Sequence, residues 1–257
     1  MCLINFAWKC HDKYLLILAA NRDEFLHRET AQIHEWKDRP SIIAGRDLEK
    51  YGTWLGIGKT GKFSALTNVR EIDRNRYERS RGDLVADYLD GKFDTDHYGR
   101  KLAKSAMNYP GYNLLLSDFK QMSYISNRNG HQQLIDLDKG IYSLSNADLF
   151  ASWPKMEKGK SMLTNILSET DSEIIETSLL SQLKDEERAS DTYLPKTGVG
   201  IEMERGLSPM FIRMDGYGTR SSTVLLVDYE GNVTMSEVSY FEDEDIKKRL
   251  EFSINIT

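Results

Sequence analysis

The residue best equipped for covalent chemistry stands at the start of this sequence. Cys2 directly follows Met1. Removal of Met1 would leave a thiol and a free α-amine on one residue, and an α-amine with a pKa of about 7.7–8.0 can accept the thiol proton near neutral pH. A thiol needs such a base, or a lowered pKa, to attack an acyl carbon. The sequence therefore predicts an N-terminal nucleophile, the alternative being a small apolar residue that opens a buried strand.

A cluster of four polar residues could act on this thiol. The stretch Asn21-Arg22-Asp23-Glu24 directly follows the apolar run Tyr14–Ala20. If that run pairs with residues 2–9, the cluster lies at the same end of the hairpin as Cys2. A cation there favours the thiolate, and a carboxylate can hold the protonated amine. The alternative is a strand that simply leaves the sheet into solvent.

Polar groups also end or interrupt three later apolar runs, where they could complete an acyl-transfer site. Asn68 and Asn146 each end such a run, and Arg220 lies in a third. The two side-chain amides could donate hydrogen bonds to a developing oxyanion, and the arginine could add positive charge. Each residue alone is more typical of a turn or of the surface, so the prediction depends on their combination with Cys2.

The elements that must position these residues are hairpins and helix pairs. Strands are predicted at Leu3–Trp8, Tyr14–Ala20, Thr53–Gly58, Phe63–Val69, Tyr112–Ser117, Gln121–Ser126, Gln132–Asp136, Ile141–Ser145, Thr219–Asp228 and Asn232–Tyr240. Helices are predicted at Ser80–Leu89 with Ser80 as the cap, at Asp94–Met107, Lys155–Leu167 and Asp171–Leu183, and in a charged C-terminal stretch. Residues 21–50 are predicted to be a long loop, and residues 184–209 either a mobile flap or a surface connection.

This order of elements favours an α+β fold. The βα alternation of a parallel sheet is missing, and two antiparallel sheets stacked between helical layers would place every element. No linker clearly divides the chain, so we expect a single domain over residues 1–257.

Composition limits the classes of function. The net charge of −6 and the pI near 5.5 argue against a nucleic-acid binder. The run Tyr14–Ala20 is far shorter than the roughly 20 residues that a membrane span needs, and no signal peptide is visible, so we expect a cytoplasmic protein with no membrane insertion. The histidines are scattered and do not pair with other ligands, so we expect no metal site and no cofactor.

An ordered set of motifs extends over most of the chain. Its segments are Met1-Cys2-Leu3-Ile4, Asn21-Arg22-Asp23-Glu24, Gly52-Thr53-Trp54-Leu55-Gly56, Leu66-Thr67-Asn68, Ser80-Arg81-Gly82, Leu144-Ser145-Asn146 and Gly218-Thr219-Arg220-Ser221-Ser222-Thr223. This set resembles the NRDE family, also called the transport and Golgi organisation protein 2 family. The resemblance implies an N-terminal nucleophile hydrolase-like fold, a four-layer αββα sandwich whose nucleophile opens a central strand.

The family is also distantly similar to the choloylglycine hydrolase and penicillin V acylase group, and this similarity implies a role for each matching residue. The implied roles are Cys2 as nucleophile, Arg22 as the group that tunes its thiol, Asp23 as the anchor of the α-amine, Asn68 and Asn146 as the groups that hold the oxyanion and the amine, and Arg220 as the group that closes the site.

The spacing of two of these residues departs from the acylase pattern. In the acylases three residues separate the arginine from the aspartate, whereas Arg22 and Asp23 are adjacent. Neighbours on a strand point to opposite faces, so Glu24 is the alternative carboxylate. The implied mechanism also requires that Met1 be removed, because a retained methionine would displace the α-amine from Cys2.

Two classes of function are compatible with this sequence. The first is a thiol-dependent amidohydrolase that acts on a linear amide or related acyl compound, at a non-peptide C–N bond. The second is a non-catalytic protein that binds or traffics haem, lipid or acyl-CoA, as has been suggested for eukaryotic members of the family. Trp36, Trp54, Tyr112 and Trp153 could line an apolar pocket for such a ligand, although the same residues are typical of a core.

Overall fold

The structure is a computed structural model and describes residues 2–73, 75–128, 130–241 and 244–256. By internal contacts the chain forms two compact units. The first contains the described residues of 1–27, 70–72 and 139–252, and the second those of 28–69, 73–138 and 253–257. The expectation of a single domain stays a prediction.

The first unit contains a sheet with the strand order β10-β1-β2-β12-β13-β14, in which β11 also pairs with β12. Its strands are β1 (Cys2–Trp8), β2 (Tyr14–Phe25), β10 (Gly140–Leu144), β11 (Arg213–Met214), β12 (Tyr217–Asp228), β13 (Asn232–Tyr240) and β14 (Asp245–Ser253). Strands β1 and β2 are apolar along most of their length, because both of their faces are buried. Their antiparallel pairing confirms the predicted hairpin.

Strand β2 is longer than expected and overturns part of the sequence prediction. It continues to Phe25, so the polar cluster Asn21–Glu24 lies in the strand and not in a loop. Residues 21–50 also contain two further strands, so the predicted long loop was wrong. The polar residues of β2 stay in the sheet because β12 pairs with them along their whole length.

Helices α3 (Pro154–Ile166) and α4 (Ser172–Gln182) pack on the sheet of the first unit. Apolar residues of both helices join those of β1, β2 and β12 in one buried cluster. Close packing of α3 on β1 depends on Gly159, since a Cβ atom at this position would lie 2.0 Å from Asn5 Oδ1. Both helices confirm the sequence prediction.

The second unit contains a sheet with the strand order β3-β4-β5-β6-β7-β8-β9, paired antiparallel throughout. Its strands are β3 (Thr30–Glu35), β4 (Ile42–Asp47), β5 (Leu55–Gly58), β6 (Lys62–Asn68), β7 (Tyr112–Ser117), β8 (Met122–Ser126) and β9 (Ile135–Leu137). Helices α1 (Arg81–Leu89) and α2 (Thr95–Ser105) supply apolar residues to its core. Ser80 caps α1 by accepting a hydrogen bond from Gly82 N, as the sequence predicts.

Two predictions near the end of the chain require correction. The C-terminal stretch, predicted to be a charged helix, forms strand β14 at Asp245–Ser253, while residues 242 and 243 lie outside the described residues. Residues 184–209, predicted as a flap or a surface connection without helix or strand, include a 3₁₀ turn at Asp191–Tyr193 and helix α5 at Ile201–Gly206. Among the described residues, no helix is both long and apolar enough to span a bilayer.

Candidate active site

Cys2 is the first residue of β1, which lies between β10 and β2. It pairs directly with Arg22 across the β1–β2 ladder. Directly opposite residues in an antiparallel pair project from the same face of the sheet, so the thiol and the guanidinium share a face. Both residues are buried, with Cys2 only 6% exposed. The sequence prediction that the polar cluster lies at the Cys2 end of the hairpin is confirmed.

The protonation of the Cys2 thiol follows from this burial. Loss of hydration raises the pKa of Cys2 to about 11, and the nearby charge of Asp23 acts in the same direction, while Arg22 opposes it. At neutral pH the group is therefore a thiol and not a thiolate. A base must take its proton if it is to act as a nucleophile.

Asp23 follows Arg22 on β2 and is buried. Thr219 pairs with it on β12 and donates a hydrogen bond from Oγ1 to Asp23 Oδ1 at 2.7 Å. The same Oγ1 accepts from Ile212 N at 2.9 Å, which fixes the orientation of the hydroxyl. Burial raises the pKa of Asp23, and the positive charge of Lys155 counteracts this.

The alternative carboxylate, Glu24, has a different setting. It is half-buried, and its Oε1 accepts a hydrogen bond from the neighbouring Phe25 N at 3.0 Å. Of these two adjacent carboxylates, Asp23 is thus the one enclosed by the protein.

Arg220 lies at an irregularity in β12. Thr219 pairs with Asp23 and Ser221 pairs with Arg22, so Arg220 is the extra residue of a bulge. Bulges locally increase twist and redirect side chains, and they occur frequently beside active sites.

The guanidinium of Arg220 is held at the end of β2. Its Nη1 donates to the carbonyl oxygens of Phe25, at 3.2 Å, and Leu26. Burial lowers the pKa of Arg220, and the positive charge of Arg22 lowers it further. Two arginines thus provide positive potential around this end of the strands.

Asn146 is buried and follows β10, the other neighbour of β1. Ser145 Oγ donates to the backbone oxygen of Cys2 at 3.3 Å, which ties this segment to the start of β1. The backbone oxygen of Asn146 accepts from Arg70 N at 2.7 Å. The first unit therefore brings Cys2, Arg22, Asp23, Asn146 and Arg220 to one region of its sheet.

Asn68 belongs to the second unit. It is the last residue of β6, is half-buried and pairs with Tyr112 of β7. Its place in the catalytic group stays a prediction.

Sequence reasoning missed a buried lysine in the first unit. Lys155 is 3% exposed, and its Nζ donates to Leu207 O at 3.1 Å. Burial lowers its pKa to about 8, while the charge of Asp23 raises it. A signal was available, because Lys155 follows Pro154 at the start of α3 and a cation there opposes the helix dipole.

A buried ion pair was also missed. Arg70 Nη1 and Glu204 Oε2 are 2.5 Å apart, and their side chains are 3% and 4% exposed. Glu204 Oε1 accepts from the backbone N and from Oγ1 of Thr197. The sequence signal was weak, since the two ionic partners are far apart along the chain.

The four aromatic residues considered as a ligand pocket mostly serve the core. Trp36 and Tyr112 are buried in the apolar cluster of the second unit, and Trp54 packs against that cluster. Trp153 packs against the apolar cluster of the first unit. Their interpretation as core residues is confirmed for Trp36 and Tyr112, whereas Trp54 and Trp153 are partly buried at the edges of the clusters.

Comparisons with known proteins agree with the motifs. The sequence profile of the family described as Transport and Golgi organisation 2 matches residues 1–242. A Transport and Golgi organization protein 2 homolog from Bos taurus is 35% identical over 258 residues, which cover 93% of each chain. The homolog from Homo sapiens is 34% identical over 266 residues and 95% of each chain.

A solved structure shares the fold. The C2A mutant of the conjugated bile acid hydrolase from Clostridium perfringens aligns with a TM-score of 0.52 at 9% identity, covering 100% of this chain and 98% of that one. The expected α+β class and the N-terminal nucleophile hydrolase-like fold are thereby confirmed. With a family match over nearly its whole length and relatives more than 30% identical, this chain belongs to the Transport and Golgi organisation 2 family.

Proposed function

We propose that this protein is a thiol-dependent amidohydrolase that acts on a linear amide or related acyl compound, with Cys2 as its nucleophile once Met1 is removed. The observation that carries the proposal is the direct pairing of Cys2 with Arg22, beside the buried carboxylate of Asp23. The fold supports the proposal. It is shared with the conjugated bile acid hydrolase, whose solved form is a C2A mutant, in which alanine replaces a cysteine at position 2.

The chemistry begins with the α-amine of Cys2, which takes the thiol proton as the sulfur attacks the carbonyl carbon of the amide. Arg22 stabilises the developing thiolate, and Asp23 holds the resulting ammonium group. The tetrahedral intermediate then collapses, the C–N bond breaks, and the amine leaves with the proton from the ammonium. A thioester on Cys2 remains. Water hydrolyses it, which releases a carboxylic acid and restores the thiol.

The other predicted residues have roles in stabilising charge. Asn146 and Asn68 hold the oxyanion and the α-amine, and Arg220 closes the site. Asp23 fits the carboxylate role better than Glu24, because its oxygen is oriented by Thr219 within the buried region.

The decisive test combines intact mass spectrometry with hydrolysis assays. The mass of the purified protein shows whether the chain begins at Cys2. We expect the processed wild type to hydrolyse members of an acyl-amide panel and Cys2→Ala to be inactive, while Cys10→Ser retains activity as the matched thiol control. Hydrolysis that persists in Cys2→Ala would overturn the nucleophile assignment.

The same variants distinguish a hydrolase from the competing class of function, a non-catalytic binding protein. Saturable binding of haem or acyl-CoA by wild type and Cys2→Ala alike, with no hydrolysis by the processed wild type, would favour a non-catalytic carrier. No saturable binding of either ligand would count against a carrier.

A further inference from the structure

A small pocket lies in the first unit beside the first turn of α3. Residues that line it include Arg70, Trp153, Lys155, Leu194 and Leu207. Two of them are buried cations, which is an unusual lining for a small recess, because a charge removed from water is costly unless other groups compensate it.

Arg70 is the first indication of a ligand. Its Nη1 is used by Glu204, but within the described parts of the chain its Nε and Nη2 have no hydrogen-bond partner. The guanidinium carbon lies 4.6 Å from the ring centroid of Trp153, so one face of the group is stacked. Nε carries one N–H and Nη2 carries two, so a buried guanidinium with these two unmatched nitrogens favours an acceptor that the described neighbouring side chains do not supply.

Lys155 is the second indication. Its hydrogen bond to Leu207 O uses one of its three N–H groups. Since burial lowers its pKa only to about 8, the ammonium form still dominates at pH 7. The pocket therefore contains a second charged donor at physiological pH.

The first turn of α3 adds a third source of positive potential. The helix is 13 residues long and begins at Pro154, and no described side chain caps its N-terminus at Trp153. Pro154 has no N–H group, and the N–H groups of Met156 and Glu157 already donate to Trp153 O, so it is the helix dipole that favours an anion here.

Nearby carboxylates already have partners that hold them in place. Glu204 accepts from Arg70 Nη1 and from two groups of Thr197, and Asp23 accepts from Thr219. In the described parts of the chain neither carboxylate accepts a hydrogen bond from Nε or Nη2 of Arg70, so an acceptor from outside the chain can use these donors.

We propose that this pocket binds a small carboxylate, with its oxygens between the guanidinium of Arg70 and the ammonium of Lys155, next to the first turn of α3. Carboxylate oxygens match the planar donors of arginine, and such charge-assisted bonds are stronger than neutral ones. The site exists whether or not Cys2 is a nucleophile. Its ligand is either a free small acid or the terminal carboxylate of a longer acyl compound.

The test is a titration of the full-length protein with ¹³C-formate, followed by NMR at pH 7 and constant ionic strength. We expect saturable binding of one formate per chain, with a change in the fluorescence of Trp153. Lys155→Met should weaken binding by about tenfold or more, as expected for loss of a charged hydrogen-bond donor. The paired change Arg70→Met with Glu204→Gln should abolish it, because both partners of the ion pair are removed together.

Lys158→Met is the matched control, since Lys158 lies on the same helix but pairs with Asp185 and does not line the pocket. It should bind formate like the wild type. Binding that does not saturate, or equal affinity in Lys155→Met and Lys158→Met, would overturn the proposal. Thermal melts show which variants fold. If Lys155→Met does not fold, Trp153→Phe decides the matter, because it should keep the formate signal in NMR and lose the fluorescence change.

Competition separates the two sources of the carboxylate. If hexanoate displaces formate as effectively as acetate does, the pocket accepts the carboxylate end of a longer chain. If only formate and acetate compete, the ligand is a free small acid. Either pattern supports the carboxylate site. If chloride displaces formate as effectively as acetate does, the site is not selective for carboxylates and the proposal is contradicted.

Discussion

Cys2 shows how one residue's surroundings set its reactivity. Burial in the sheet favours the neutral thiol, so Arg22 alone does not produce a thiolate at neutral pH. In the proposed mechanism, activation of the thiol therefore depends on the α-amine, which exists on Cys2 only after Met1 is removed. The proposal thus requires processing before chemistry.

This leads to a prediction for thiol alkylation. In a Cys10→Ser variant that retains Met1, the rate of Cys2 modification by iodoacetamide should rise about tenfold per pH unit from pH 7 to 10, because only the thiolate reacts. It should level off near the pKa of about 11. Intact mass spectrometry at timed intervals measures the rate.

Cys2→Ala serves as the control, since it reports the half-buried Cys10 alone. A Cys2 rate that is already at its plateau at pH 7 would show that the site holds a thiolate and would contradict this account of its burial.

At the scale of elements, the packing of α3 on β1 determines where Lys155 lies and how β1 is supported. Gly159→Ala should destabilise the protein by about 1–3 kcal/mol, since overpacking of a buried contact typically costs this much. The added methyl would meet the side chain of Asn5. Urea unfolding gives the change in the free energy of unfolding.

Ser161→Ala, on the exposed face of the same helix, should change stability by no more than about 0.5 kcal/mol. Adding Asn5→Ala to Gly159→Ala should recover part of the loss, because it clears the space that the methyl needs. Equal stability of Gly159→Ala and wild type would refute the importance of this contact.

The sequence predicted those elements that are stabilised by residues close together in the chain. The β1–β2 hairpin follows from two apolar runs around a polar turn, and Ser80 caps α1 through a neighbour two residues away. The extent of β2 was not predictable in this way, because Asn21 and Asp23 are satisfied by residues of β12 that are remote in sequence. Four polar residues in a row suggest a loop unless such partners are known.

The prediction of a C-terminal helix was wrong for a related reason. Its charged and apolar residues fit either a helix or a strand locally. In the structure Lys247 and Arg249 point together toward the buried Glu176 of α4, which requires the two-residue period of a strand. The prediction of site residues had a similar limit. Motif resemblance points to Cys2 and Arg22, whereas the position of Lys155 after Pro154 is a weak signal and its burial is visible only in the structure.

At the scale of the whole molecule, the two units are interleaved along the chain. The first unit is built from three separate segments, and the second from the segments between and after them. Neither unit can be removed by a single truncation without losing part of the other. We therefore propose that the chain unfolds as one domain.

Hydrogen exchange in increasing urea measures this cooperativity. Amides of β2 in the first unit and of β6 in the second should lose protection at the same urea concentration, as in a two-state transition. Separate midpoints for the two strands would contradict a single cooperative domain. Ser161→Ala provides the control, because a change confined to an exposed position should leave the two midpoints together.

The strand order of the first sheet has a consequence for synthesis on the ribosome. β2 ends at Phe25, but its neighbour β12 begins only at Tyr217. At translation rates of ~5–20 residues per second, the nascent apolar run Tyr14–Ala20 waits on the order of ten seconds or more for that neighbour. During this interval the unpaired backbone N–H and C=O groups of the run are free to pair with other chains, which favours aggregation. We therefore expect the N-terminal hairpin to be the part of the nascent chain that gains most from chaperone binding before β12 is synthesised.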